Sequence, residues 1–355
     1  MPRIYWDITK AASTRSFSGL NRVSRSLQSS LGQAGAEVIP LSWDKRKQSF
    51  VDASTRPCRP EKGAWFITTE LFSEGERPGF HAWRKNTEAR CAALFHDAIP
   101  LKHPEFTWPK SVNRHPFYLK ELGTFDLVLA NSMCSRTELQ GYWEWLALPG
   151  TPPVIPLPLG GDFDTCPRAA APKTAHDGEL RLLMTGILEP RKNHQVVLEA
   201  FETLHREGLR LSLDVVGRVN PHFGAAICKR LMSMSRKGFP LRYHRQLDDA
   251  ALSQLYTRCN TTVFPSITEG NGLPVLESLW RAKATLASNI PAHREHADKG
   301  QGVLLFPPRD ADALARQLRE WCENPGAHQQ ACQNAAVHAV PTWQESAQTL
   351  LSALN

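Results

Sequence analysis

Residues 266–280 read SITEGNGLPVLESLW. Glu269 and Glu277 bracket seven residues that include Gly270, Gly272 and Pro274, and a helix-forming run follows. TTVFPS (261–266) reads as a buried strand, so Thr268 to Leu273 is the turn beyond its carboxyl end. Pro274 suits the first helical position, where a missing N–H costs nothing. Gly270, Asn271, Gly272 and Leu273 then bring backbone N–H groups to a helix start, an end that carries partial positive charge and attracts anions. The glycines allow close backbone approach. A carboxylate accepts two hydroxyl hydrogen bonds at once, which suits vicinal sugar hydroxyls. A polyhydroxy ligand that also carries phosphate would occupy the whole loop. Taken singly, Glu277 reads as a first-turn acid favouring the helix dipole, and Glu269 as a solvated loop acid. The pair with this glycine spacing is more specific than either.

Two further stretches carry candidate chemistry. In MTGILEPRKNHQVVLEAF (184–201), Gly186 ends a strand and a helix begins near Asn193, so Arg191 and Lys192 project from a strand–helix loop. Two adjacent cations can offset charge developing on a leaving diphosphate without a metal. On their own they would read as exposed basic residues. In LFHDAIPLKHPE (94–105), His96 and Asp97 follow a strand. A lone histidine there is more often a satisfied polar residue than a catalyst.

The elements that must position these residues alternate along the chain. PRIYWDIT is a strand, and Leu20, Val23, Leu27 and Leu31 fall at helical spacing after Ser18 and Gly19. AEVIPLS, GAWFITTEL, CAALFHDAIP, FDLVLANS and PPVIPLPLG read as further strands, with Ser132 capping the helix MCSRTELQGYWEWL. Residues 165–180 break the periodicity with Pro, Ala and polar residues and read as a linker. The alternation then restarts and closes on the helix TWQESAQTLLSAL. The expected architecture is α/β: two doubly wound, Rossmann-like domains facing each other, 1–165 and 181–340. A linker at 166–180 joins them, and a terminal helix at 341–355 follows. The cleft between two such sheets is the natural ligand site.

FPSITEGNGLPVLES resembles the E-x7-E signature of retaining, nucleotide-sugar-dependent glycosyltransferases of the GT-B fold, family-4 type. The resemblance implies that Glu269 contacts hydroxyls of the donor sugar and Glu277 the nucleotide ribose. The usual wording there is closer to E-G-F-G-L-P-x-L-E-A, and Asn271 replaces the aromatic residue. The Arg191–Lys192 pair resembles the family's basic pair for the donor phosphates. In the commoner form an arginine directly follows the glycine, where this chain has Ile187. The H-D-x-I-P form at His96 is similar to one in related transferases, where the histidine lies near the donor sugar. Gly19, with Ser18, resembles a first-domain loop that approaches donor phosphates or acceptor. SNIPAHREH (288–296) is a smaller echo, and TWQESAQTLL resembles a helix that crosses back to the first domain.

Composition excludes several classes. The chain has 355 residues and a formal charge of +7, and the excess is spread over both halves rather than gathered for a nucleic acid. Such a bias suits an anionic ligand or an anionic membrane surface. No window reaches the length of a membrane-spanning helix, and the N-terminus has no signal-like apolar core, so a cytoplasmic protein is expected, with contact at the inner face of the membrane left open. Eight scattered cysteines without a C-x-x-C pair read as free thiols. Asp310 and Asp312 in DAD read as a helix cap rather than a metal site. There is no P-loop and no G-x-S-x-G elbow. The aromatic and basic stretches 103–122 and 140–149 read mainly as core and cleft lining, with a lipid-linked acceptor at a membrane as the other reading.

The leading expectation is a retaining hexosyltransferase, with GDP-mannose as first donor, acting on a saccharide or lipid-linked saccharide in bacterial surface polysaccharide or lipopolysaccharide synthesis. No cofactor or metal is expected beyond the nucleotide sugar. The rivals are a sugar-nucleotide epimerase on the same fold and a non-catalytic saccharide-binding protein.

Overall fold

The computed structural model describes residues 2–13, 19–163, 166–172 and 176–355, and Ser18 lies outside these residues. The chain forms two compact units. Residues 1–160 with 341–355 make the first, and 161–340 the second. The irregular stretch that follows Gly161 therefore belongs to the second unit, and regular structure begins there at Leu180.

In the first unit the strands are β1 (Arg3–Asp7), β2 (Glu37–Asp44), β3 (Ser49–Val51), β4 (Trp65–Thr68), β5 (Arg90–Phe95), β6 (Leu127–Ala130) and β7 (Val154–Pro156). Their order is β3-β2-β1-β4-β5-β6-β7. All neighbours are parallel except β2 and β3, which form an antiparallel edge pair. The strand interiors read as apolar runs because both faces of a parallel sheet are covered. Phe50, Phe66, Phe80 and Trp83 fill one face, with Phe50 and Phe66 centroids 4.7 Å apart. The Gly19–Gln33 helix buries Val23, Leu27 and Leu31, while Leu20 stays 42% exposed. Ser132 caps the Met133–Trp145 helix by accepting the Ser135 N–H at 2.9 Å. The Trp343–Leu354 helix starts in a capping box between Thr342 and Glu345. It is tied to this unit by Trp65 Nε1, which donates to the Leu354 carbonyl at 3.0 Å.

In the second unit the strands are β8 (Leu180–Thr185), β9 (Leu211–Val216), β10 (Leu241–His244), β11 (Thr261–Phe264), β12 (Ala284–Ser288) and β13 (Val303–Phe306). Their order is β10-β9-β8-β11-β12-β13, all parallel. The order reverses between β8 and β11, as it does between β1 and β4 in the first unit. Crossovers leave to opposite faces at such a point, and the loops beyond the strand ends part to form a crevice. Asp310 caps the Ala311–Glu323 helix through the Ala313 N–H at 2.8 Å, the role expected for the DAD stretch. The helices Ala225–Arg236 and Pro325–Val337 and the strands β3, β10 and β13 were not expected from local pattern.

At the first unit's reversal point, three charged side chains are buried together. Arg77, 1% exposed, lies 2.6 Å from both Asp7 Oδ2 and Glu70 Oε2. Glu70 Oε1 also accepts the N–H groups of Lys10 at 2.6 Å and Ala11 at 3.1 Å. Burial and the charge of Asp7 push the Glu70 carboxyl up to about 7, against the pull of Arg77. A raised acid stabilises the fold fully below its unfolded value near 4.5, and that stabilisation is lost as pH rises through the folded value. Glu70 is therefore expected to contribute on the order of 2 kcal/mol less to the stability of the first unit at pH 8.5 than at pH 5. Glu70→Gln should flatten this slope in calorimetric melts, and an identical slope in both proteins would refute the assignment.

Candidate functional site

The loops beyond β8 and β11 lie side by side at the reversal point, and they carry the acidic and basic residues singled out by motif. After β8 the chain turns through Gly186, whose φ of +151° lies outside the range most residues adopt. It then runs to a single 3-10 turn, Pro190–Lys192. Asn193, at φ +52°, ends that turn, and its side-chain amide donates to the Pro265 carbonyl at 3.1 Å. The Ile267 N–H donates to the Arg191 carbonyl at 2.8 Å. These bonds clamp the two loops together at the backbone level.

The side chains then meet. Lys192 Nζ donates to Glu269 Oε1 at 2.5 Å, and Arg191 Nη1 donates to Glu269 Oε2 at 2.9 Å and to the Thr268 carbonyl at 3.0 Å. The three side chains are 10–17% exposed. Burial alone would raise the Glu269 carboxyl, but Arg191 and Lys192, with hydrogen bonds from Lys192 and Ser266, hold it well below the usual carboxylate range. Glu269 is thus a fixed anion rather than a proton donor.

The two cations are not equivalent. Arg191 also reaches Glu189, with Nε at 2.9 Å and Nη2 at 2.8 Å from Oε1, and Asn220 holds Glu189 Oε2 at 2.9 Å. Arg191 is therefore a bridge between two carboxylates. Lys192 carries three donors on a flexible stem, one of which goes to Glu269. Glu189 and Asn220 escaped the sequence reading; the acid beside Pro190 was the available signal.

Gly270 to Leu273 form the turn into the Leu273–Trp280 helix. The helix starts one residue earlier than expected. Gly272 is the cap at φ +83°, Leu273 the first residue and Pro274 the second. Glu277 is consequently the fifth helical residue, in the second turn, so the reading as a first-turn acid does not hold. It is buried, 2% exposed, and accepts from Tyr256 Oη at 3.5 Å. Burial, then the Glu277 charge, push the Tyr256 hydroxyl well above its ordinary value. Behind the loop lies the Pro291–Ala297 helix with two buried imidazoles. His296 Nε2 donates to the Asn271 carbonyl at 2.6 Å. His293 Nδ1 lies 3.0 Å from the Ser288 carbonyl, and its ring fills the space where a Gly272 side chain would begin, 2.9 Å away. Burial lowers His293 to about 4 and His296 to about 3, so both rings are neutral at ordinary pH.

His96 and Gly19 belong to the first unit. His96 follows β5 and is 4% exposed; its Nε2 donates to the Thr69 carbonyl at 2.7 Å, and burial lowers its basicity. Gly19 opens the Gly19–Gln33 helix, and among the described residues nothing lies within 4 Å of where its side chain would begin. In the aromatic stretches, Tyr118 and Trp143 are buried, whereas Trp108, Phe117 and Trp145 are exposed. Among the described residues no group of three or more His, Cys, Asp or Glu is arranged to hold a metal ion, and no helix is long and apolar enough to cross a membrane.

The chain is 27% identical over 275 residues to the serotype-specific mannosyltransferase WbdA of Escherichia coli, covering 74% of this chain and 33% of that protein. It is 25% identical over 280 residues to the O-antigen chain mannosyltransferase B of Escherichia coli, covering 77% of this chain and 71% of that protein. The chain thus spans about a third of the WbdA relatives it matches. A sucrose-phosphate synthase structure from Thermosynechococcus elongatus superposes with a TM-score of 0.72 at 16% identity, covering 99% of this chain and 98% of that one. That likeness shows the fold, which is GT-B. Residues 168–338, which lie within the second unit, match the model described as glycosyl transferases group 1, and it is to this family that the second unit belongs.

Proposed function

We propose that the chain is a retaining glycosyltransferase. It moves a hexose, first mannose from GDP-mannose, to a hydroxyl of a saccharide or lipid-linked saccharide in bacterial surface polysaccharide or lipopolysaccharide synthesis. One observation carries this reading: Glu269 fixed by Lys192 and Arg191 where the loops of β8 and β11 meet, beside a glycine-bordered helix start. The arrangement supplies an anion that accepts sugar hydroxyls next to donors that suit a diphosphate. The two mannosyltransferase relatives support the choice of sugar.

In this reading Glu269 orients the donor sugar and Glu277 holds the ribose. Lys192 and the amides from Gly270 to Leu273 stabilise the departing diphosphate, and Arg191 locks Glu269 in place. Positive charge from the protein takes the part a metal plays elsewhere, so no metal or further cofactor is called on. The bond from the anomeric carbon to the diphosphate oxygen breaks as the acceptor oxygen bonds to the same face. The leaving phosphate takes the acceptor's proton, and no protein nucleophile is needed. His96 and Gly19 are carried as substrate contacts of the first unit. The exposed Trp108, Phe117 and Trp145 are the side chains with which the protein would meet a lipid-linked acceptor or a membrane surface.

Thermal-shift screening against GDP-mannose, UDP-hexoses, GDP-fucose and dTDP-rhamnose tests the donor, since a ligand of the folded state raises its stability. A transfer assay with mannosylated acceptors then tests the reaction. The expected result is acceptor-dependent release of GDP and a product that keeps the donor's anomeric configuration. Isomerised donor without acceptor would replace this reading by an epimerase, and binding without turnover by a saccharide-binding protein.

A further inference from the structure

The imidazole of His296 determines which way one peptide of the Glu269–Glu277 loop faces. A backbone carbonyl only accepts, so the 2.6 Å contact to the Asn271 oxygen requires the proton on His296 Nε2. The peptide joining Asn271 to Gly272 is trans, for the described chain holds no cis bond. In a planar trans peptide the C=O and the N–H point in opposite directions. With the Asn271 carbonyl drawn toward the Pro291–Ala297 helix, the Gly272 N–H must point away from that helix.

Gly272 sits at φ +83°, and glycine on one side of a peptide leaves it freer to rotate than any other residue would. His293 packs against the same spot and leaves no room for a side chain on Gly272, 2.9 Å from its ring. His293 itself is anchored to Ser288, whose hydroxyl donates to the Ser266 carbonyl. Ser266 in turn bonds to Glu269. The Pro291–Ala297 helix therefore supports both the anion and the amide of the loop.

We infer that His296 is a positioning residue: its Nε2–H holds the Asn271–Gly272 peptide so that the Gly272 N–H faces a bound diphosphate. The inference rests on the proposed nucleotide-sugar reading. Asn271, where the family has an aromatic residue, takes part through its backbone carbonyl.

The test measures binding of GDP and of inorganic pyrophosphate by calorimetry to wild type, His296→Leu and His296→Gln. Leucine removes the donor, while glutamine carries an N–H of comparable reach. His296→Leu is expected to bind both ligands about 10-fold more weakly, which corresponds to about 1.4 kcal/mol. His296→Gln is expected to recover most of the affinity, a rescue that a merely space-filling role would not produce. In transfer assays the leucine variant should raise KM for the donor. Wild-type affinity in His296→Leu, or equal weakening in both variants, overturns the inference while leaving the donor site intact. No binding of GDP or pyrophosphate to the wild-type protein overturns the nucleotide-sugar reading itself. If His296→Leu does not fold, nitrogen-15 NMR of the wild type decides: a ring protonated on Nδ1 alone at pH 7 overturns the inference.

Discussion

Lys192→Ala is expected to lower kcat/KM for sugar transfer by about 10²- to 10³-fold, the usual cost of removing one preorganised donor from developing negative charge. The loss should fall mainly on kcat, because the diphosphate gains charge as the sugar departs and the ammonium is worth most at that moment. The fold should survive. Glu269 keeps its bond to Arg191 Nη1 at 2.9 Å, so its carboxylate is not left unpaired. Arg191 does not substitute for the lost amine, since it is spread over Glu189, Glu269 and the Thr268 carbonyl. Lys192→Gln, which keeps bulk and a neutral donor, should recover little. Steady-state kinetics with the donor identified by thermal shift, plus circular dichroism to confirm folding, check this. Activity in Lys192→Ala within a few-fold of wild type would remove the lysine from the mechanism.

Gly217→Ala is expected to be the most destabilising single methyl in the second unit. Gly217 follows β9, and a side chain there would start 1.8 Å from the Gly186 carbonyl oxygen and 2.6 Å from its carbon. Both are backbone atoms, so no rotamer change relieves the overlap. The Gly186 N–H bonds to the Val216 carbonyl at 2.9 Å and the Gly217 N–H to the His244 carbonyl at 2.9 Å. The added carbon must therefore part β8 from β9 at the end that leads to Lys192. A cost of roughly 3–5 kcal/mol is expected, at the upper end for a point change. In a unit of this size that lowers its transition by about 10 °C. Scanning calorimetry should show one transition moving and the other staying, since the two units need not melt together. A shift of less than about 2 °C, well under the amount expected for such a cost, would mean the strand ends yield more easily than their geometry indicates.

Much of the fold was legible locally. Helical spacing placed Val23, Leu27 and Leu31 on one buried face, and Ser132 and Asp310 announced helix starts because a side-chain oxygen satisfies amides three residues on. The helix Ala225–Arg236 was missed because its buried residues are few, Leu231 and Met234. The helix Pro325–Val337 was missed because its buried face is built from small residues and His328, which leave almost no apolar period. The turn before Glu277 was read one residue out, since a proline suits the second helical position as well as the first.

The sequence by itself determined that strand ends, glycine turns and helix starts alternate, and that Arg191, Lys192 and Glu269 each stand on a loop after a strand. Those features depend on neighbours a few residues away. Only the tertiary structure decided that β8 and β11 are adjacent, and so that Lys192 and Glu269, 77 residues apart, share a bond. The pairing of β8 with β9 brought Asn220 to Glu189, and the packing of the Pro291–Ala297 helix brought His296 to the Asn271 carbonyl. The tertiary structure also buried Asp7, Glu70 and Arg77 together where β1 meets β4. Strand order is settled by how whole crossovers bury their apolar faces, a global balance that no short window of residues contains.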